Sequence, residues 1–320
     1  MDSNAAIAHP GNPEGAPIPR AGFVALLGEP NVGKSTLLNA LVGEHLSIVT
    51  PLAQTTWRRV AGIRTEGSTQ MIFIDTPGIV FSQSLMHRSL LAEAKQAVDD
   101  ADVVVLLLDA TRPPSDEARA RLEHLIGSMS APRLSVASKS DTANPRVMQE
   151  LEVWSRAMLG APPIPISALR GDGIDTLLEA ISSRLPESPP LYPEDDIAVA
   201  PVRFFVSELV RETVFEQYRE EIPYSTFCEV EEFHEDDERI YIQVNVFVER
   251  SSQKGILVGK GGLAVRELGR TSREKIEHFL GKAVYLDLWI KVLPKWRKKL
   301  AHIRRLGLPV PDSDDAPPEN

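Results

Sequence analysis

The 320-residue chain has a single cysteine, Cys228, so no internal disulfide can form. That scarcity points to a reducing, cytoplasmic setting. No apolar run approaches the length that crosses a bilayer. The opening stretch, MDSNAAIAHPGNPEGAPIPR, lacks the basic flank and apolar core of a signal peptide. Its Pro, Gly and Ala content reads as a disordered tail over 1–19. The closing GLPVPDSDDAPPEN reads as a second one, over 307–320. The seven histidines are scattered, and none sits at a metal-ligand spacing from cysteine or another histidine, which argues against a zinc site. Internal repeats are missing too.

Charge, by contrast, is plentiful and unevenly spread. The formal net charge is −10. Residues 191–253 carry five Lys or Arg against sixteen Asp or Glu, whereas residues 254–305 carry fourteen against four. A solvated surface mixes its signs, so this split implies a polyanion-binding face set against an acidic one.

The length suggests two domains. Over 20–186, short apolar runs (FVALLG, MIFID, VVVLLLD, RLSVAS, PIPIS) alternate with amphipathic stretches such as Leu85 to Val98 and Ala118 to Ile126. This is the rhythm of a mostly parallel sheet with helices on both faces. VAGIRTEGSTQMIFID reads as two strands joined by a tight turn near Gly67, which predicts one antiparallel edge strand. LPESPPLYPEDD opens a proline-rich, charged linker over 187–198. Beyond it, over 199–306, the pattern predicts a smaller α+β domain. It has a helix from Phe204 to Arg219, a strand at STFCEVEEF, a second at RIYIQVNVFVE, a helix from Leu263 to Leu280, and a third strand at AVYLDLWIKVL. Val284, Leu286, Leu288, Ile290 and Val292 are expected to point inward in that third strand.

The chemistry is concentrated in LLGEPNVGKST, which lies between an apolar run and an amphipathic one. Gly28, Gly33, Lys34 and Ser35 fill the pattern G-x-x-x-x-G-K-[ST], with Glu29, Pro30, Asn31, Val32 and Thr36 completing the loop. Glycines let backbone N–H groups curl around phosphates, and the following helix offers unpaired N–H groups with a positive dipole end. Lys34 would reach the β- and γ-phosphates and Ser35 would ligate Mg²⁺. DTPG ends the strand MIFID, where Asp75 can hold Mg²⁺ through water and the Gly78 N–H can meet a γ-phosphate. SKSD ends RLSVAS. The Asp141 carboxylate suits guanine N1 and N2, and the Lys139 stem can cover the base. The backbone of Ser167, Ala168 and Leu169 would meet guanine O6. In QTTW, Thr56 is the expected switch ligand of Mg²⁺, with Thr55 as the alternative.

The ordered set GEPNVGKS, QTTW, DTPG, SKSD, SAL resembles a translation-factor-class GTPase. With PLAQTT and VAGIRTEG it resembles the Era family of bacterial GTPases, over roughly Arg20 to Leu306. The resemblance implies an α/β P-loop GTPase domain followed by a KH domain of type II. It also implies hydrolysis of GTP through Lys34, Thr56, Asp75 and Gly78, with Ser35, Thr56 and Asp75 at Mg²⁺. Asn31 is placed as in P-loop GTPases that bind K⁺. Ile79 stands where Ras-type enzymes carry a water-orienting glutamine, so slow intrinsic turnover is expected. The implied partners are 16S ribosomal RNA and the 30S subunit, and a monomer is expected. The VGKGG stretch fits this reading: Gly259, Lys260, Gly261 and Gly262 form the G-x-x-G loop that lets an RNA backbone approach. LPKWRKKL adds Lys295, Arg297, Lys298 and Lys299 as a phosphate footprint, with Trp296 as a stacking ring. Two departures stand out. Ser138 replaces the family's usual, longer Asn, which predicts reduced nucleotide affinity with the choice of guanine kept by Asp141, and Trp57 replaces a basic residue beside the switch threonines. Two other readings of the residues are open: a metabolic phosphotransferase, for which no acid/base constellation is visible, and a GTPase switch peripheral to the cytoplasmic face of the inner membrane, with LPKWRKKL meeting anionic lipid.

Overall fold

The computed structural model describes residues 18–310 apart from 53, 81, 83, 128 and 237. Of the tails expected over 1–19 and 307–320, residues 1–17 and 311–320 lie outside the described residues. The first domain contains β1 (Arg20–Gly28), α1 (Lys34–Val42), β2 (Val60–Glu66), β3 (Thr69–Asp75), α2 (Leu85–Asp99), β4 (Val103–Asp109), α3 (Asp116–Gly127), β5 (Arg133–Ser138), α4 (Pro145–Leu159), β6 (Ile164–Pro165) and α5 (Ile174–Ser182). Its sheet runs β2-β3-β1-β4-β5-β6, and β2 pairs antiparallel to β3 while the rest are parallel. Alternation along the strands feeds two cores. Val24, Leu26, Val103, Val105 and Leu107 face one side, and Ala25, Leu27, Val104, Leu106 and Leu108 face the other. Every residue of β4 is buried, as expected for a central strand covered on both faces.

The segment read as a linker is not a loose tether. Ile63 N–H donates to the Ile197 carbonyl at 2.9 Å and Val199 N–H to the Ala61 carbonyl at 3.2 Å, so it pairs along the open edge of β2. The buried Gln70 side chain accepts from the N–H groups of Leu191 (2.7 Å) and Tyr192 (2.9 Å). An unpaired strand edge invites foreign strands, and here the chain's own backbone closes it.

The second domain contains α6 (Val202–Gln217), α7 (Glu221–Ser225), β7 (Phe227–Glu235), β8 (Ile240–Val248), α8 (Ser251–Val258), α9 (Leu263–Leu280), β9 (Val284–Val292) and α10 (Leu300–Arg305). The sheet order is β7-β8-β9, antiparallel then parallel. Ile240, Ile242, Val244, Val246 and Val248 are all buried against Val206, Val210 and Val214 of α6 and Leu268 and Ile276 of α9. In β9 only Val284 and Ile290 of the five expected residues are fully buried; Leu286, Leu288 and Val292 are half-buried.

Aromatic and charged residues fasten the domains together. The Trp57 ring lies 5.4 Å from Trp296 and under the Arg211 guanidinium at 4.5 Å. Arg211, almost fully buried, also donates to the Thr55 carbonyl. Glu212 of α6 accepts from Val49 N–H at 3.2 Å and lies 2.9 Å from His45 Nε2, while Lys275 holds its other oxygen at 2.8 Å. Two expectations are corrected at this joint. Trp296 is 0% exposed and donates its indole N–H to the Ser225 carbonyl, so it cannot stack on a base. The closing tail does not begin at 307, because Leu308 is buried with Trp57 and Ile303.

Candidate functional site

Open parallel sheets bind ligands beyond the carboxyl ends of their strands. The expected nucleotide residues converge there, around a cavity of about 500 Å³ lined in part by Pro30, Asn31, Gly33, Lys34, Ser35 and Thr36. The DTPG loop lies directly against the phosphate loop. A Cβ on Gly78 would stand 2.8 Å from Pro30 Cα, so only glycine permits the approach. Lys34 is 6% exposed, and its ammonium donates to the carbonyls of Gly28 (3.2 Å) and Glu29 (3.0 Å). Burial lowers its pKa to about 8, against the opposing pull of Asp75 and Glu29.

Three oxygens meet beside it. Ser35 Oγ lies 2.6 Å from Asp75 Oδ2 and 3.0 Å from Thr56 Oγ1, and Thr56 Oγ1 lies 3.0 Å from Asp75 Oδ2. The hydroxyl of Thr56, not of Thr55, joins this cluster. Asp75 is fully buried, its Oδ1 has no hydrogen-bond partner among the described residues, and burial raises its pKa despite Lys34 and the hydroxyls of Ser35, Thr56 and Ser47. Hard oxygen donors with an unsatisfied carboxylate oxygen are what Mg²⁺ takes, so the residues fit that ion. Ile79 is buried against the sheet and offers no polar group.

At the base end, Ser138 Oγ lies 2.7 Å from the Val32 carbonyl and 3.0 Å from that of Leu108. The shorter side chain thus still reaches the backbone of the phosphate loop. Lys139 donates to the Asn31 carbonyl at 2.8 Å and to Asp109 at 2.7 Å. Asp141 lies 3.7 Å from Arg170 Nε. A bond from Ser140 N–H to the Ile166 carbonyl brings Ser167, Ala168 and Leu169 to the same sheet end. Asn31 Nδ2 reaches the Pro51 carbonyl at 3.4 Å.

Sequence reading missed Asp109, Thr111 and Arg112, which line the cavity. Burial pushes the Asp109 carboxyl up, but hydrogen bonds from Lys139 and Thr111 outweigh it and hold the pKa below the usual range. The signal was available, since Asp109 ends β4 at the sheet edge where ligands collect.

The G-x-x-G loop joins α8 to α9. Gly259 has φ 70, and a Cβ there would meet the Ala264 Cβ at 2.6 Å. Lys260 and Gly261 are exposed, and Ile256 (50%) and Leu263 (62%) offer apolar surface beside them. The basic run lies elsewhere. Arg297 pairs at 2.6 Å with Glu249, which precedes α8, whereas the glycine loop follows it. Lys295, Lys298 and Lys299 are exposed, but Arg297 already has its carboxylate.

A family model described as 50S ribosome-binding GTPase matches residues 23–139, and a KH domain model matches 221–297. The GTPase Era of Nitratidesulfovibrio vulgaris (strain DP4) is 41% identical over 298 residues, covering 90% of this chain and 97% of the relative. That of Halothermothrix orenii is 38% identical over 291 residues, covering 90% and 98%. Among solved structures, an Aquifex aeolicus Era variant bound to GDP·AlF4⁻ superposes with a TM-score of 0.85 at 36% identity, covering 90% of this chain and 99% of that one. Era in complex with MgGDPNP and nucleotides 1506–1542 of 16S ribosomal RNA gives 0.84 at 36%, with coverage of 90% and 99%.

Proposed function

Because this chain belongs to the Era family of GTPases, we propose that it couples GTP hydrolysis to binding of 16S ribosomal RNA and assists assembly of the small (30S) subunit in the cytoplasm. The observation that carries the reading is the union of two sites in one chain. A buried Ser35–Thr56–Asp75 oxygen cluster stands beside a phosphate loop, and an exposed G-x-x-G loop stands on a second domain. The related complex with MgGDPNP and 16S RNA supports both ligands.

In this reading Lys34 holds the β- and γ-phosphates and the Gly78 N–H meets the γ-phosphate. Ser35 and Thr56 would ligate Mg²⁺ directly and Asp75 through water; the ion, when bound, neutralises charge on the phosphate oxygens. Lys139 covers the base, Asp141 reads guanine N1 and N2, and the Ser167–Leu169 backbone meets O6. Asn31 helps hold K⁺. Water attacks the γ-phosphate without help from a side chain at Ile79, so intrinsic turnover is slow. RNA passes over Lys260 and Gly261 with bases against Ile256 and Leu263, and Lys295, Lys298 and Lys299 add phosphate contacts.

Crosslinking the protein to RNA in cells and sequencing the fragments tests this reading. Reads should concentrate in 16S ribosomal RNA. Reads spread evenly over other RNAs would contradict it.

A further inference from the structure

Among the described residues, the outer face of the β7-β8-β9 sheet, opposite α6 and α9, is only half covered. At one end Phe227 and Phe247 stack at 4.6 Å beneath Trp296 and the first domain. At the other end the register lines up His234, Tyr241 and Tyr285 across the three strands. Their rings form a ladder, with centroids 6.0 Å and then 5.8 Å apart and planes tilted by 23° and 16°. Tyr285 is 53% exposed and Trp289 of the same strand 52%. The carboxylates of Glu232 and Asp287 stand among these rings, contacting His234 and the Trp289 indole N–H. Phe227 to Glu238, the β7 strand and its turn, holds seven acidic residues and no Lys or Arg.

The covered end already seats one cation of this chain. There Arg305 donates to the Glu229 carboxylate, at 2.8 Å from Nε, and lays its guanidinium 5.2 Å from the Phe247 centroid. An arginine is thus seated between a carboxylate and a ring. The open end repeats the same elements, and Arg239 already lies 5.8 Å from the Tyr285 centroid. An acidic face repels RNA, whereas a guanidinium or ammonium gains both an ion pair and a ring face. The G-x-x-G loop lies with the helices, on the other side of the sheet, so the two surfaces do not compete.

We propose that the His234–Tyr241–Tyr285–Trp289 face, with Glu232 and Asp287, docks a lysine- and arginine-rich polypeptide segment. The chain would then hold a polyanion on one side of this domain and a basic protein segment on the other.

Trp289 makes the test direct. Of the four tryptophans it alone is exposed, the others being at 7% (Trp57), 8% (Trp154) and 0% (Trp296). A short peptide alternating Arg and Gly, added to the full chain, should shield its fluorescence from acrylamide. Tyr285→Ser, and separately the pair Glu232→Lys/Asp287→Lys, should each weaken peptide binding by about tenfold, as loss of an interface anchor does. The pair Glu194→Lys/Asp195→Lys makes the same charge change on the exposed connecting segment and should weaken it far less. Urea unfolding followed by circular dichroism reports that each variant is folded. Equal weakening by the two charge pairs would reduce the effect to net charge and overturn the proposal. Absence of shielding, or shielding by a single-stranded RNA instead of the peptide, would overturn it as well.

Discussion

Around the phosphate loop the groups proposed to meet the ligand are buried, with Lys34, Thr56 and Asp75 at 6%, 8% and 0% exposure. Around the G-x-x-G loop they are open, with Lys260 and Gly261 exposed and Leu263 at 62%. The contrast follows from the two tasks. Phosphoryl transfer needs charges held in a desolvated place, where each is worth more and moves less. A polymer needs a backbone it can reach and phosphate contacts that are loose and numerous. The first site is therefore broken by removing one group, and the second by changing the charge or access of a surface.

The largest effect should come from Lys34→Ala. The ammonium is buried, and its loss leaves phosphate oxygens without a charged donor, so GTP affinity should fall by about three orders of magnitude. Titration with a fluorescent GTP analogue checks this, and RNA binding should persist. Next is the joint between the two regions. Trp57→Ala removes a buried indole from between Trp296 and Arg211 and should cost about 3 kcal/mol in urea unfolding. A cost below about 1 kcal/mol would show that Trp57 fills no real gap.

The pH response should separate the sites further. The Lys34 pKa is lowered to about 8 in the protein without nucleotide. Phosphates favour the charged form, so GTP binding takes up a proton once the pH exceeds that value. Affinity should be flat below pH 8 and fall by up to about tenfold per unit above it. Calorimetry in two buffers of different ionisation enthalpy measures the proton uptake, and no uptake at pH 9 would contradict the assignment. The smallest effect should be Ser138→Asn. Serine already bonds the Val32 carbonyl, so GTP affinity should change by no more than about threefold.

Legibility in the sequence followed the same division. The phosphate loop, DTPG and SKSD are runs of neighbouring residues whose spacing is itself the chemistry. The helix Leu263–Leu280 was readable from its amphipathic period to both ends. What escaped depended on residues distant in the chain. Trp296 among lysines reads as a surface ring, and only its partner Trp57 in the other domain makes it core. The 187–198 segment has a linker's composition, yet its backbone pairs with β2, and backbone bonds leave no side-chain pattern. The short α8, whose SSQKGILV contains a glycine, carries too little periodicity to be seen. The bond of Ser138 to the Val32 carbonyl, 106 residues away in the chain and 2.7 Å in space, is likewise invisible in a local motif.

The central claim is that one chain carries two separable sites, one for GTP and one for RNA. The direct measurement is fluorescence anisotropy of a labelled RNA copying nucleotides 1506–1542 of 16S ribosomal RNA, the segment in the related complex, with GTP turnover followed on the same preparations. The full chain should bind the RNA, and Lys260→Asp/Gly261→Asp should weaken that binding by more than about tenfold while turnover without RNA stays near that of the unaltered chain. RNA affinity unchanged by the two aspartates would contradict the account.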